Sequence, residues 1–354
     1  MPTFLDPTEF LTLSDIILDV RSPGEYAQGH VPEAVSFPLF SDEERAQVGI
    51  CYKHQGRNAA VELGFAIAGP KFAGFIAQAR ELAGDRRVRM YCWRGGMRSE
   101  AVSWVLEMAG FQVSLLVGGY KAFRRWVLEM VQEPRQILIL GGMTGTGKTA
   151  VLHQLSAMGE QVLDLEHLAN HRGSSYGSLG MPPQPSTEHF ENQVALAWAQ
   201  SDPNRPLWIE AESKRVGTCR IPEPIFQQMD QAPVVELVRS LQERLTMLVE
   251  DYGFASTEAL VTATQRIRKR LGGLRTQQAV ELLQQRHLKE AFAIILEYYD
   301  KTYRYDLSRR SVTIYPISIE GLDAAQVAQK LLKVSQSFQE KPSETILNFA
   351  EVIS

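Results

Sequence analysis

In the first third of the chain, apolar residues fall in short runs separated by stretches of helical spacing. Residues 16–20 form one run, leading into a polar turn at 21–24. Residues 88–92 form a second, and residues 113–117 a third, closed by Gly118-Gly119. Short apolar runs bounded by turn residues predict buried strands. Residues 99–109 have helical spacing that stops at Gly110, a C′ glycine. Residues 120–131 predict a further amphipathic helix. Strands alternating with helices imply a parallel sheet covered on both faces.

The pattern restarts after Gln132-Glu133-Pro134-Arg135, a linker by composition. Strands are predicted at 136–140, 161–165, 206–210, 234–238 and 312–316, with a helix from the first strand's loop to about 158. Residues 240–310 read as helical, with Gly272-Gly273 as the strong break, and 322–338 as a closing helix. The expected class is α/β, with a parallel-sheet domain at 1–132 and a second at 133–340. The second carries a helical, basic insertion at about 240–311, and 341–354 form a tail.

Composition narrows the class. Of 354 residues, 44% are hydrophobic and 22% charged, which suits a globular protein. No run of about 18 apolar residues and no charged-then-apolar leader is evident, so the expectation is a cytoplasmic protein without a membrane partner. The three cysteines, Cys51, Cys92 and Cys219, are too few and too scattered for a disulfide framework or a zinc site. The net charge of −4 argues against nucleic acid, but its distribution does not: residues 261–310 hold eleven Lys/Arg against five Asp/Glu.

Two loops carry the candidate chemistry. Cys92-Trp93-Arg94-Gly95-Gly96-Met97-Arg98-Ser99 ends a strand and opens a helix. Cationic neighbours and a helix N-terminus lower a thiol pKa. Gly95 and Gly96 let successive backbone N–H groups curl toward one point, an anion nest. Cys92 is thus the candidate nucleophile, in a cradle made by Arg94, Gly95, Gly96, Met97, Arg98 and Ser99. The second loop, Gly142-x4-Gly147-Lys148-Thr149, follows an apolar strand and precedes a helix, the context a phosphate-binding loop requires. Gly142, Thr144, Gly145, Thr146, Gly147, Lys148 and Thr149 are its candidate ligands. Thr149 is a candidate for magnesium. Asp164 and Glu210 or Glu212 end the next strands, where open α/β sheets bind ligands. Between them lies a loop rich in His, Arg, Gly and Ser, which nominates His171, Arg172, Ser174 and Ser175.

Residues 6–131 resemble the rhodanese family. The marks are Leu18-Asp19-Val20-Arg21-Ser22-Pro23-Gly24-Glu25-Tyr26, Gly29-His30-Val31-Pro32-Glu33-Ala34, the cysteine loop, and Gly118-Gly119-Tyr120. The resemblance implies that Cys92 carries sulfur or selenium, with Asp19, Arg21 and His30 mainly structural or near-site groups. The loop departs from the usual CxxGxRS by one added residue, giving the C-x5-R spacing of related phosphatases. Taken with Gly-Gly-Met-Thr-Gly-Thr-Gly-Lys-Thr, Leu-Ala-Asn-His-Arg-Gly-Ser-Ser-Tyr-Gly and Glu-Ala-Glu-Ser-Lys-Arg-Val-Gly, the whole resembles the bacterial tRNA 2-selenouridine synthase family. That resemblance implies a transferase acting on wobble 2-thiouridine in the tRNA anticodon loop. Geranyl diphosphate first alkylates the 2-thio sulfur, and selenium from selenophosphate then replaces the geranylthio group.

Arg266, Arg268, Lys269, Arg270 and Arg275 are the candidate tRNA contacts, since phosphates need Lys and Arg. Tyr298, Tyr299 and Tyr303 are either stacking platforms or core. The alternative that stays open is a rhodanese-type sulfurtransferase or C-x5-R phosphatase fused to a small-molecule kinase.

Overall fold

A computed structural model describes residues 1–340, so the tail expected at 341–354 lies outside the described residues. The chain divides into two compact units. Of the described residues, the first holds 1–130 and 191–196, the second 131–190 and 197–340.

The first unit is built on β1 (Thr3–Leu5), β2 (Ile16–Asp19), β3 (Val35–Ser36), β4 (Arg87–Tyr91) and β5 (Gln112–Leu116). They form a five-stranded parallel sheet in the order β1-β5-β4-β2-β3. The three apolar runs became its three inner strands. The edge strands β1 and β3 are too short and too exposed to give an apolar run. Leu18, Met90, Val102, Leu106, Val113 and Leu115 join the sheet to its covering helices in one core.

Residues 42–82 differ from expectation. They form a helix, Asp42–Ala68, then a 3-10 turn, Gly69–Lys71, and a helix, Phe72–Leu82. Within this stretch an 18-residue window is apolar enough, by length and composition alone, to cross a membrane. It is not an unbroken apolar run: small Ala and Gly residues, with Glu62 and Lys71, are mixed among its Phe, Val and Ile. The stretch is mostly exposed and is interrupted twice, at Gly56 (φ 89°) and at Gly69-Pro70.

At the end of β2 an ion pair is fully buried. Arg21 Nη2 lies 2.6 Å from Asp19 Oδ2, and both side chains are 0% exposed. Tyr91 Oη donates to the same carboxylate at 2.7 Å, and Arg21 Nη2 also donates to the Gly29 carbonyl at 2.7 Å. The guanidinium lies 3.7 Å from the Tyr120 ring centroid. Two charges survive this burial because hydrogen bonds meet nearly every polar atom.

The second unit is built on β6 (Gln136–Gly142), β7 (Gln161–Leu163), β8 (Pro206–Glu210), β9 (Arg215–Val216), β10 (Cys219–Arg220), β11 (Val234–Val238) and β12 (Ile314–Ser318). Its main sheet is parallel, in the order β12-β11-β6-β8-β7, and β9 with β10 makes a separate antiparallel ribbon. β6 sits where the connections change direction, the place at which such sheets bind ligands. The insertion is helical but divides more often than the glycine pair predicts, into Leu241–Tyr252, Thr257–Arg266, Arg268–Leu271, Gly273–Gln284 and Leu288–Ser308. Ser256 caps the second of these by accepting from the Ala259 N–H, a start signal that the helical spacing concealed. Leu260, Ala279, Leu283, Phe292 and Ile295 give the insertion its own core.

Asp19→Asn should lower stability by about 3–5 kcal/mol, because it leaves the buried Arg21 charge uncompensated. Urea denaturation of the two proteins measures the difference; an equal midpoint and slope would remove the pair from the account of the fold.

Candidate functional site

The cysteine loop is held by backbone. Cys92 follows β4, and Gly96 precedes the helix Met97–Met108. The Gly96 N–H donates to Cys92 Sγ at 3.3 Å, and Ser99 Oγ lies 3.4 Å from the same sulfur. Burial by itself raises the thiol pKa. The Ser99 hydroxyl and the N–H groups of Gly96, Ser99 and Arg94 outweigh it and bring the thiol below its ordinary value. Arg98 contributes differently from expectation. Its guanidinium pairs with Glu25 at 2.7 Å, so the thiolate is stabilised by hydrogen bonds rather than by that charge.

Behind the loop, two glycines are locked together. Gly95 and Gly119 both have positive φ, 64° and 60°. A Cβ on Gly119 would overlap the Cys92 carbonyl and the Gly95 nitrogen; one on Gly95 would lie 2.6 Å from the Leu116 carbonyl. Tyr120 N–H donates to the Cys92 carbonyl at 2.9 Å, and Lys121 N–H to the Trp93 carbonyl at 3.0 Å.

In the second unit the phosphate loop leaves β6 at Gly142 and enters the helix Lys148–Ala157. Gly145 and Gly147 take positive φ, 83° and 84°, which aims N–H groups inward. Lys148 Nζ donates to the Gly142 carbonyl at 2.9 Å, within the loop. Two distant residues brace the loop from outside. The Gly142 N–H donates to Tyr303 Oη at 2.8 Å. Arg244, nearly buried, donates to the Thr144 carbonyl at 2.9 Å and is itself gripped by Asp300.

Carboxyls gather beside Thr149. Its hydroxyl donates to Glu166 Oε2 at 3.0 Å, Glu166 N–H donates to Glu210 Oε1 at 2.7 Å, and the Glu166 and Glu212 carboxyls hydrogen-bond each other. Burial first, then mutual repulsion, raises the pKa of Glu210 and Glu212; for Glu166, burial is the main cause. Asp164 is occupied otherwise: it accepts from His167 N–H at 2.8 Å and pairs with His153 at 2.9 Å. Among the described residues no group of three or more His, Cys, Asp or Glu is arranged to hold a metal ion. A magnesium ion at Thr149 would use its hydroxyl, the neighbouring Glu166, water and substrate phosphates, a donor set magnesium accepts.

A polar pocket of about 430 Å³ adjoins this cluster. His171, Ser174, Ser175, Arg215, Arg266, Arg270, Tyr298 and Tyr299 line it. The buried His171 Nδ1 has no partner, and burial followed by Arg266 keeps the ring's pKa below its ordinary value. Ser175 N–H donates to Tyr299 Oη at 2.9 Å, and Arg270 donates to Tyr298 Oη at 3.1 Å.

Comparison with known proteins follows this division. A profile described as the tRNA 2-selenouridine synthase AAA domain matches residues 135–335, and one described as the rhodanese-like domain matches residues 6–125. A tRNA 2-selenouridine synthase from Marinobacter nauticus is 37% identical, covering 85% of this chain and 90% of that protein. One from Pseudomonas putida GB-1 is 36% identical, with 92% and 96% covered, and one from Shewanella denitrificans is 33% identical, with 83% and 89% covered. The chain belongs to the tRNA 2-selenouridine synthase family.

Within this selenouridine synthase family member the predicted residues separate into groups. Of the cradle residues, Arg94, Gly96 and Ser99 hydrogen-bond the Cys92 sulfur, while Arg98 pairs with Glu25; in the phosphate loop Lys148 folds back on Gly142, and Thr149 turns to Glu166. Glu210 and Glu212 both meet Glu166, which the sequence reading does not nominate. His171, Ser174 and Ser175 meet Arg266 and Arg270 across one pocket. Arg172 instead lies over the Tyr252 ring and donates to the Asp251 carbonyl. Arg268 and Lys269 are exposed and do not line the pocket, while Arg275 pairs with Glu297. Arg244 and Tyr303, which brace the phosphate loop, carry no local signal of that role.

The pH dependence of Cys92 alkylation by iodoacetamide, read by peptide mass spectrometry, should have its midpoint below that of an ordinary thiol. Ser99→Ala removes a donor to the thiolate, so its midpoint should move to higher pH. Identical profiles would take Ser99 out of the cradle.

Proposed function

We propose that this chain is a tRNA 2-selenouridine synthase that exchanges the 2-thio sulfur of a wobble 2-thiouridine for selenium, through an S-geranyl intermediate. One observation carries the reading: a single chain holds a thiolate cradle, a phosphate loop, and a basic, tyrosine-walled pocket beside that loop. In the first step the 2-thio sulfur attacks C1 of geranyl diphosphate. The C1–O bond breaks, and diphosphate leaves with the electron pair into the loop of Lys148 and the 142–147 backbone. The N3 proton goes to the Glu166–Glu212 pair. In the second step the selenium of selenophosphate attacks C2, and the C2–S bond breaks. Geranyl thiol departs with a proton, and water takes up the phosphoryl group as phosphate. Alkylation matters because a neutral thioether carbon releases its sulfur far more readily than a thione. Cys92 and its donors hold the selenium donor during this exchange.

Ser174, Ser175, Arg266 and Arg270 suit an RNA phosphate or a base turned out of a single-stranded loop. The phosphatase alternative is weakened by Arg98, whose pairing with Glu25 diverts the charge a C-x5-R phosphatase aims at its phosphate. No ATP turnover is required by this reading.

Purified protein given 2-thiouridine tRNA, geranyl diphosphate and selenophosphate should yield both modified nucleosides by mass spectrometry after digestion. Cys92→Ala should retain geranylation and lose selenation, and Lys148→Ala should block geranylation. Absence of both products from the unaltered protein would end the proposal. In titrations of 2-thiouridine tRNA at several salt concentrations, Arg266→Ala and Arg270→Ala should each weaken binding. If each contacts a phosphate, each should also reduce the salt slope by roughly 0.9; unchanged affinity and slope would move the RNA elsewhere.

A further inference from the structure

The first unit contains a cavity that none of the chemistry above uses. It measures about 620 Å³ and lies between the helix Asp42–Ala68 and the start of the helix Met97–Met108. Its walls are mainly apolar: Phe40, Val61, Phe65 and Phe72 on one side, Met97 on the other, with Arg57 beside Met97. Arg57 Nη2 lies 3.7 Å from Met97 Sδ. Phe65 and Met97 are 53% and 49% exposed, a large apolar surface left open to solvent. The volume falls within the roughly 300–1,000 Å³ of small-molecule sites.

The position of the cavity selects its occupant. Met97 and Arg98 belong to the cysteine loop and also form a wall of the cavity. A group bonded to an atom reacting above Cys92 therefore finds an apolar cleft next to it. We propose that this cleft binds the prenyl chain of the S-alkylated nucleoside while C2 is attacked, and that it sets the preference for a long alkyl group over a short one. The proposal rests on the S-geranyl reading above, in which that chain is the apolar species brought to the cysteine loop.

The test uses the full-length protein and RNA stem-loops carrying chemically made S-geranyl- or S-methyl-2-thiouridine, with selenophosphate. The unaltered protein should selenate the S-geranyl RNA with much the lower KM. Phe65→Asp, at a half-exposed position outside the core, and Val61→Trp, which fills the cleft, should each raise that KM roughly tenfold. Neither should change the S-methyl reaction, nor geranylation of 2-thiouridine RNA. Equal use of both RNAs by the unaltered protein, or unchanged S-geranyl kinetics in both variants, would overturn the proposal. A separate arm uses S-geranyl-2-thiouridine with a diazirine at the distal end of the chain. Photolabelling of peptides from 57–72 supports the cleft even if no RNA is selenated, an outcome that would sink only the functional reading. Labelling confined to the second unit would sink the cleft. Vesicle binding or self-association abolished by Phe65→Asp, with S-geranyl selenation intact, would assign the face to lipid or to a second copy instead.

Discussion

The cysteine site depends on two backbones packed closer than side chains permit. Gly95 and Gly119 meet with no room for a Cβ on either, and that contact brings the loop after β4 against the turn after β5. From it follow the hydrogen bonds of the Tyr120 and Lys121 N–H groups to the Cys92 and Trp93 carbonyls. With the carbonyls turned away, the N–H groups on the other side of the loop face the sulfur. Against the effect of burial, the thiol pKa is lowered by the Ser99 hydroxyl and by the loop N–H groups, rather than by nearby cations. The glycine contact also explains why two motifs about twenty-five residues apart mark a single site: neither loop can hold its shape without the other.

The second unit reaches a similar end by bracing from a distance. The phosphate loop starts with Gly142 packed against the Leu237 carbonyl of β11. Tyr303 and Arg244, from two helices of the insertion, also hold the loop, and Asp300 ties those helices together. Tyr299, one turn from Tyr303, holds Ser175 at the polar pocket. One insertion helix, Leu288–Ser308, therefore orders both the anion grip and the wall of the candidate RNA pocket. The helix is anchored in the insertion's own apolar core through Phe292 and Ile295.

Much of this was legible in the chain, for a physical reason. Inner parallel strands are buried on both faces, so they read as apolar runs, and glycine-rich loops at their ends betray a backbone task. What escaped notice has no local signature. Glu166 differs from its neighbours only because Thr149, Glu210 and Glu212 converge on it in space. Arg244 and Tyr303 sit in ordinary amphipathic helices, and their partners are 100 and 161 residues away. The helix Asp42–Ala68 was missed because its apolar residues are spread around the helix and exposed, without the one-sided stripe that betrays a packed helix. That same lack of a stripe leaves an apolar face uncovered.

The carboxyl cluster resolves an apparent conflict of charge. Glu166, Glu210 and Glu212, fully ionised, would put three negative charges beside a loop built to hold a polyphosphate. Burial and mutual repulsion raise their pKa values, which disfavours full ionisation, and the Glu166 and Glu212 carboxyls hydrogen-bond each other. In the proposed function, an approaching anion with its cation would meet Lys148, the loop N–H groups and this cluster. Bringing a cation to Thr149 would draw Glu166 toward its ionised form, since a nearby positive charge favours the carboxylate. The proton balance of the cluster and the occupancy of the phosphate loop are thus linked: an anion bound alone favours the protonated carboxyls, and an anion bound with a cation favours the charged ones.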